Sequence, residues 1–140
     1  MQSKLENTKD IENIVNLSRK ARNILEIKSN KFINSLLKMI ASKILEKKTN
    51  NFLSSLAVKE TKFGNIEDKI YKNQYKTNNL LFDLDKIEMF EPIFYNKKNI
   101  FEIYKPIGLI CGVTPSTNPI ATTLNYVLNS IKARNSIIIC

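Results

Sequence analysis

The stretch Lys105–Cys140, KPIGLICGVTPSTNPIATTLNYVLNSIKARNSIIIC, constrains the fold more than any other part of the chain. Ile107–Val113 is a short apolar run of the kind a buried strand needs. A tight Thr-Pro-Ser-Thr-Asn-Pro turn follows it. Thr117 or Asn118 caps the next helix, and Pro119 takes the first helical position, where its missing N–H costs nothing. Ala121, Leu124, Val127, Leu128 and Ile131 share one helical face, Ala133-Arg134-Asn135 ends the helix, and Ser136–Cys140 is a second apolar strand. Strand, helix, strand in this order is a βαβ crossover, so the fold class is α/β with a parallel pair. Such a pair cannot bury both faces alone. The reading is of an α/β domain begun and not finished. The open edge at Ile137–Ile139 and one uncovered face predict aggregation of the isolated piece.

The upstream residues read as four helices and a hairpin. Over Asn7–Ile27, Ile11, Ile14, Val15, Ser18, Ala21, Arg22 and Leu25 follow helical spacing, with Ile14, Leu17, Ala21 and Ile24 as a neighbouring stripe and Thr8 as a weak cap. Ser29 or Asn30 caps a second helix to about Lys47, whose wide apolar face predicts burial, with Lys47 and Lys48 at its C-terminus. Thr49 or Asn50 caps a third, through Thr61, which Gly64 ends as a C′ glycine. Asn65 caps a fourth, with Glu67 and Asp68 in its first turn and Ile66, Ile70, Tyr71, Gln74, Thr77, Asn78 and Leu81 at helical spacing; it fades near Asp83–Lys86. Glu91–Tyr95 and Ile100–Tyr104 then flank Asn96-Lys97-Lys98-Asn99 as a hairpin. The organisation is a helical region over 1–87, a hairpin over 88–104 and an incomplete α/β unit over 105–140.

Composition excludes several classes. The chain has 140 residues, 43% hydrophobic and 25% charged, which is ordinary globular usage. A net charge of +9 permits an anionic partner, but the lysines are spread through helices among Glu and Asp, without an Arg cluster. The reading is therefore no nucleic acid and no membrane. Cys111 and Cys140 make no disulfide framework, and with no His there is no zinc pattern. A reduced, cytoplasmic setting follows, since the N-terminus lacks a signal-peptide profile and no apolar run is long enough to span a bilayer. Cys111, inside an apolar strand between Ile110 and Gly112, reads as core with a raised pKa and poor nucleophilicity.

A strand ending in a turn that opens a helix is where α/β folds place anionic or dinucleotide ligands. Neither standard glycine-rich phosphate loop is present. The plain alternative is that Pro115 and Pro119 shape a turn and Asn118 caps a helix.

These residues resemble the start of the cofactor domain in the aldehyde dehydrogenase superfamily, in the form of its CoA-acylating branch. The match is Lys105-Pro106-Ile107-Gly108, Gly112, Pro115, Thr117-Asn118-Pro119 and Arg134-Asn135. The run Ala57–Asn73 is similar to A-x-x-E-T/S-x-x-G-x-x-x-D-K-x-x-K-N upstream in that branch. Acetaldehyde, sulfoacetaldehyde and bifunctional aldehyde-alcohol dehydrogenases belong to it, and Lys76-Thr77, Leu80-Leu81, Asp83-Leu84 and Pro-Ser-Thr-Asn-Pro lean toward the sulfoacetaldehyde enzymes.

The resemblance implies N-terminal helices and a hairpin leading into the first βαβ unit of an incomplete Rossmann-like domain. It implies oxidation of an aldehyde to a thioester on a cysteine, hydride transfer to NAD or NADP, and acyl transfer to coenzyme A. Asn118 is the implied oxyanion donor. Hydrolytic relatives carry their Asn one position earlier, so Thr117 is the alternative. Thr114, Pro115, Ser116 and Thr117 would line the nicotinamide through backbone atoms, and Cys140 would be at most a wall near the adenosine ribose. Neither cysteine matches the family's nucleophile motif, so the 140 residues alone are expected to be inactive. The hairpin corresponds to an arm used in homo-oligomer assembly. A non-catalytic remnant of a truncated gene is the competing reading.

Overall fold

The computed structural model describes the backbone of residues 2–95 and 99–140, and side chains from residue 8 onward within those spans. The elements run α1 (Gln2–Glu26), α2 (Asn30–Leu45), α3 (Lys47–Thr61), α4 (Ile66–Asp85), β1 (Ile93–Tyr95), β2 (Ile100–Glu102), β3 (Leu109–Gly112), α5 (Pro119–Lys132) and β4 (Ser136–Ile139). β1 pairs antiparallel with β2, setting Phe94 opposite Phe101, while β3 pairs parallel with β4, setting Leu109 opposite Ser136. The expected hairpin and βαβ unit both form. The hairpin residues Asn96, Lys97 and Lys98 lie outside the described residues.

Caps explain the helix starts. Ser29 Oγ accepts from the Phe32 amide at 3.2 Å, and Asn65 Oδ1 accepts from the Asp68 amide at 2.8 Å, each satisfying an orphan donor of the first turn. Other expected boundaries move. Thr8 lies inside α1 and does not cap it. Lys47 and Lys48 open α3 and do not close α2, and Thr49 and Asn50 fall within α3. Glu46 alone makes the break: it is extended, its amide donates to Ser42 O, and its carbonyl accepts from Asn50 N. Gly64 is not the C′ residue of α3. Thr61 Oγ1 donates to Ala57 O and accepts from the Phe63 amide, so the helix stops at once and Lys62 takes the left-handed conformation, φ 58°.

Ile33 and Leu37 of α2, Leu84 of α4 and Leu128 of α5 form the buried core, with Leu25 of α1 packed against it. The crossover helix thus shares one core with the N-terminal helices. On α1 the Val15, Ser18, Arg22 and Leu25 stripe turns inward, whereas Ile14, Leu17 and Ile24 of its neighbour stay exposed.

The face of α4 is a larger departure. Tyr71, expected on the apolar side, is exposed, and the buried positions are Lys69, Asn73, Thr77 and Leu84. Three of these four are polar, and α3 meets one of them, Asn73, with polar groups of its own. Asn73 Nδ2 donates to Asn50 Oδ1 at 2.9 Å and to Ser54 Oγ at 3.2 Å, and Asn50 Nδ2 donates to Ile70 O.

Two glycines set the β3 geometry. Gly108 has φ +127°, its amide donates to Asn135 Oδ1 at 2.8 Å, and its carbonyl accepts from Ser136 N. A side chain there would be strained. At Gly112 a Cβ would stand 2.9 Å from Tyr126 Cδ2 and 3.0 Å from Ile139 Cδ1, so α5 approaches β3 as closely as a bare backbone allows. The expected buried strand is shorter than Ile107–Val113: the regular strand runs Leu109–Gly112, and both end residues of the expected run are exposed.

Candidate functional site: the turn between β3 and α5

The turn begins where the parallel pair ends. The Thr114 amide donates to Cys140 O at 2.8 Å, and the Cys140 amide donates to Gly112 O at 2.8 Å. The ladder therefore continues one step past both strands and fixes the turn's first residue. Thr114 Oγ1 lies 3.3 Å from Thr123 Oγ1 on α5, a second anchor. Pro115, Ser116 and Thr117 are exposed.

Asn118 is the N-cap residue of α5, and its side chain makes no capping hydrogen bond. With Pro119 next, the start of α5 presents backbone donors to the outside and a side-chain amide not used by the helix. Asn118 is half-buried and borders a cavity of about 260 Å³ shared with Lys72, Lys76, Thr122 and Asn125. A smaller one of about 150 Å³, lined by Gly64, Asn65, Lys69 and Thr117, meets it at Asn118. Lys72 borders both, and the smaller one also takes in Phe63 and Asp68.

Lys69 is the residue that the sequence reading missed here. It is 9% exposed, and its ammonium donates to the Thr117 carbonyl at 3.0 Å. The Asp68-Lys69 pair inside the Ala57–Asn73 run was the signal available. The two motif segments, 48 residues apart at this contact, touch at the turn.

The cysteines depart from expectation. Cys111 is exposed and not in the core. Gly112, Ile137 and Ile139 face Tyr126 of α5, so strand alternation sends Cys111 and its register partner Ile138 to the opposite face, where the two-stranded sheet offers little cover. Cys111 Sγ lies 3.9 Å from Cys140 Sγ. Its pKa is raised as expected, but by that hydrogen bond and the neighbouring thiol's charge ahead of burial. Among the described residues no group of three acidic, His or Cys side chains could hold a metal ion, and no helix is long and apolar enough to cross a membrane.

At the back of α5, Arg134 has φ 55°, donates to Asn30 Oδ1 at 2.9 Å and stacks over Phe90 at 4.1 Å. Asn30 Nδ2 in turn donates to Met89 O and to Glu88. The Arg134-Asn135 pair thus ties the hairpin approach, α2 and the entry to β3 to the end of α5.

No family model matches the chain. Over 131 residues, 93% of its length, it is 30% identical to the sulfoacetaldehyde dehydrogenase (acylating) of Bilophila wadsworthia. Over 84 residues, 59% of its length, it is 43% identical to the protein of the same name in Cupriavidus necator. An acetylating aldehyde dehydrogenase structure from Geobacillus thermoglucosidasius superposes on 96% of the chain with a TM-score of 0.87 and 29% identity. The chain belongs to the acylating aldehyde dehydrogenases. It spans 17% and 28% of the length of the two curated relatives and 30% of the solved chain. An engineered glycolyl-CoA reductase with bound NADP+ shares the fold of this dehydrogenase segment, at a TM-score of 0.74 over 91% of the chain and 24% identity.

Proposed function

We propose that this segment supplies the cofactor-facing turn and the oxyanion donor of an acylating aldehyde dehydrogenase. The reaction is aldehyde plus coenzyme A plus NAD or NADP to acyl-CoA plus the reduced cofactor. The observation that carries the reading is Asn118: a side-chain amide at the mouth of α5, unspent on capping, directly beyond the carboxyl end of a parallel strand.

The residues fit a nucleotide cofactor by their donor set. The first turn of α5 is uncapped, the exposed Pro115–Thr117 backbone offers a wall, and the adjoining cavity is lined by lysines and amides. A bound nicotinamide would supply the hydride acceptor. The chain's own residues do the rest of what this segment contributes. Thr114, held by Cys140 O and by Thr123, fixes the start of the wall formed with Pro115, Ser116 and Thr117. Cys140 stands beside it as a wall residue. Asn118 donates to the negative charge that develops on the aldehyde oxygen when a cysteine attacks the carbonyl. A preorganised donor of this kind contributes about 3–4 kcal/mol to the transition state.

In this reading neither Cys111 nor Cys140 is the attacking thiol: neither carries the family's nucleophile motif, and the two sulfurs lie 3.9 Å from each other. The nucleophile of this reading belongs to a part of the dehydrogenase outside these 140 residues. The exposed Phe94, Tyr95, Phe101 and Tyr104 of the hairpin suit an arm buried between subunits of a homo-oligomer.

The test is made in the dehydrogenase that contains this segment, against a panel of short aldehydes including sulfoacetaldehyde. Asn118→Ala is expected to lower kcat by about a hundred- to a thousandfold with little change in KM, and Thr117→Val is expected to leave kcat near wild type. The reverse pattern makes Thr117 the donor. Full activity in both variants refutes the assignment. The purified 140-residue chain is expected to form no acyl-CoA.

A further inference from the structure

Lys69 has no role in the reading above, yet it is the most constrained cation near the turn. It is nine-tenths buried on the inner face of α4. No carboxylate lies within ion-pair distance of it among the described residues, since the Asp68 carboxylate is engaged by Asn65 Nδ2 at 2.6 Å. Its acceptor is one backbone oxygen, Thr117 O at 3.0 Å. Burying an ammonium without a counter-charge is costly. A lysine kept there is committed to that carbonyl.

The carbonyl it holds belongs to the peptide group that ends at Asn118. A peptide unit is planar, so fixing the Thr117 oxygen fixes the plane that carries the Asn118 nitrogen and Cα. The segment before Lys69 is arranged for this reach. Asn65 caps α4 and starts the helix one turn below Lys69, and Gly64 runs over the lysine stem, where a Cβ would stand 3.6 Å from Lys69 Cε. Behind it, Asn73 is locked to Asn50 and Ser54, so α4 is pinned against α3 one turn further on.

We propose that Lys69 is a positioning residue. Its ammonium locks the Thr117–Asn118 peptide plane from below and so sets the direction in which the Asn118 amide is presented. What that amide is presented to rests on the proposed function; the lock does not.

The test is made in the dehydrogenase that carries this segment, selectively labelled, and compares wild type with Lys69→Met, which keeps the stem and removes the donor, and Lys69→Arg, which keeps a donor. In Lys69→Met the Thr117 carbonyl 13C resonance is expected to move. Amide exchange at Thr122, whose N–H is held by Asn118 O, is expected to speed up about tenfold, the weight of a hydrogen bond to a charged group. Lys69→Arg restores both, and the amides of α2 stay protected throughout. An unmoved resonance and unchanged exchange, or an Arg variant that behaves like Met, overturns the proposal. Should Lys69→Met unfold the chain, acetylation of the wild-type protein decides: Lys69 is expected to react at least about tenfold more slowly than exposed Lys72 and Lys76, as a charge-assisted bond requires, and equal rates overturn it. In the dehydrogenase carrying the segment, Lys69→Met should lower kcat with KM for the aldehyde little changed, and Arg should recover it. A wild-type enzyme without aldehyde activity refutes the proposed function and leaves the exchange result standing.

Discussion

At the scale of single residues, buried cations define the chain's electrostatic character. Lys132 is 3% exposed and donates to Asn34 Oδ1 at 2.7 Å. Burial lowers its pKa from 10.5, while Glu88 and Asp85 pull it back up and Arg134 and Lys38 push it down. Because the folded value lies below the unfolded one, the folded state binds this proton more weakly. Its contribution to stability is therefore complete above pH 10.5 and is lost as pH falls through the folded value. Lys132→Met removes the titration and keeps most of the packing. The stability of wild type minus that of the variant is expected to rise with pH toward 10.5, read from urea unfolding at several alkaline pH values. A difference flat with pH would show that Lys132 titrates normally.

At the scale of elements, the α3–α4 contact is a polar lock set among apolar helices. Asn73→Ala leaves Asn50 Oδ1 without one of its donors in a buried site and is expected to cost about 1–3 kcal/mol, measured by chemical denaturation. Asn73→Asp should cost more, because it sets a carboxylate against Asn50 Oδ1. This lock also marks how far sequence reading reached. The order of strand, turn, helix and strand was legible because Pro119, the apolar runs and the turn residues act locally. The caps at Ser29 and Asn65 were legible for the same reason. The inward face of α4 was not, since Lys69 and Asn73 point inward only on account of acceptors 48 and 23 residues away. The break between α2 and α3 was expected near Lys47–Asn50 and falls at Glu46, a small shift that follows from good helix formers on both sides. Cys111 was misjudged because burial of a strand face depends on what covers the sheet, which five apolar letters do not report. Of the site itself, the turn and Asn118 could be located from sequence; the lysine beneath them could not.

At the scale of the whole molecule, one core joins what the sequence divides at residue 105. Leu128, fully buried on the crossover helix, packs with Ile33, Leu37 and Leu84 of the N-terminal helices. Leu128→Ala is expected to cost about 2–5 kcal/mol. Helical content and protection of the β3–β4 amides should then fall in a single denaturant transition. Two separate transitions would show that the helical region and the βαβ unit fold independently. The shared core has a practical consequence for anyone recombining such dehydrogenases. The seam suggested by the linear order is a poor place to splice. A cofactor unit begun at Lys105 would leave behind the partners of Leu128, the Asn30 that receives Arg134, and the Lys69 that holds Thr117. Grafts between relatives should carry α2 to β4 as one cassette.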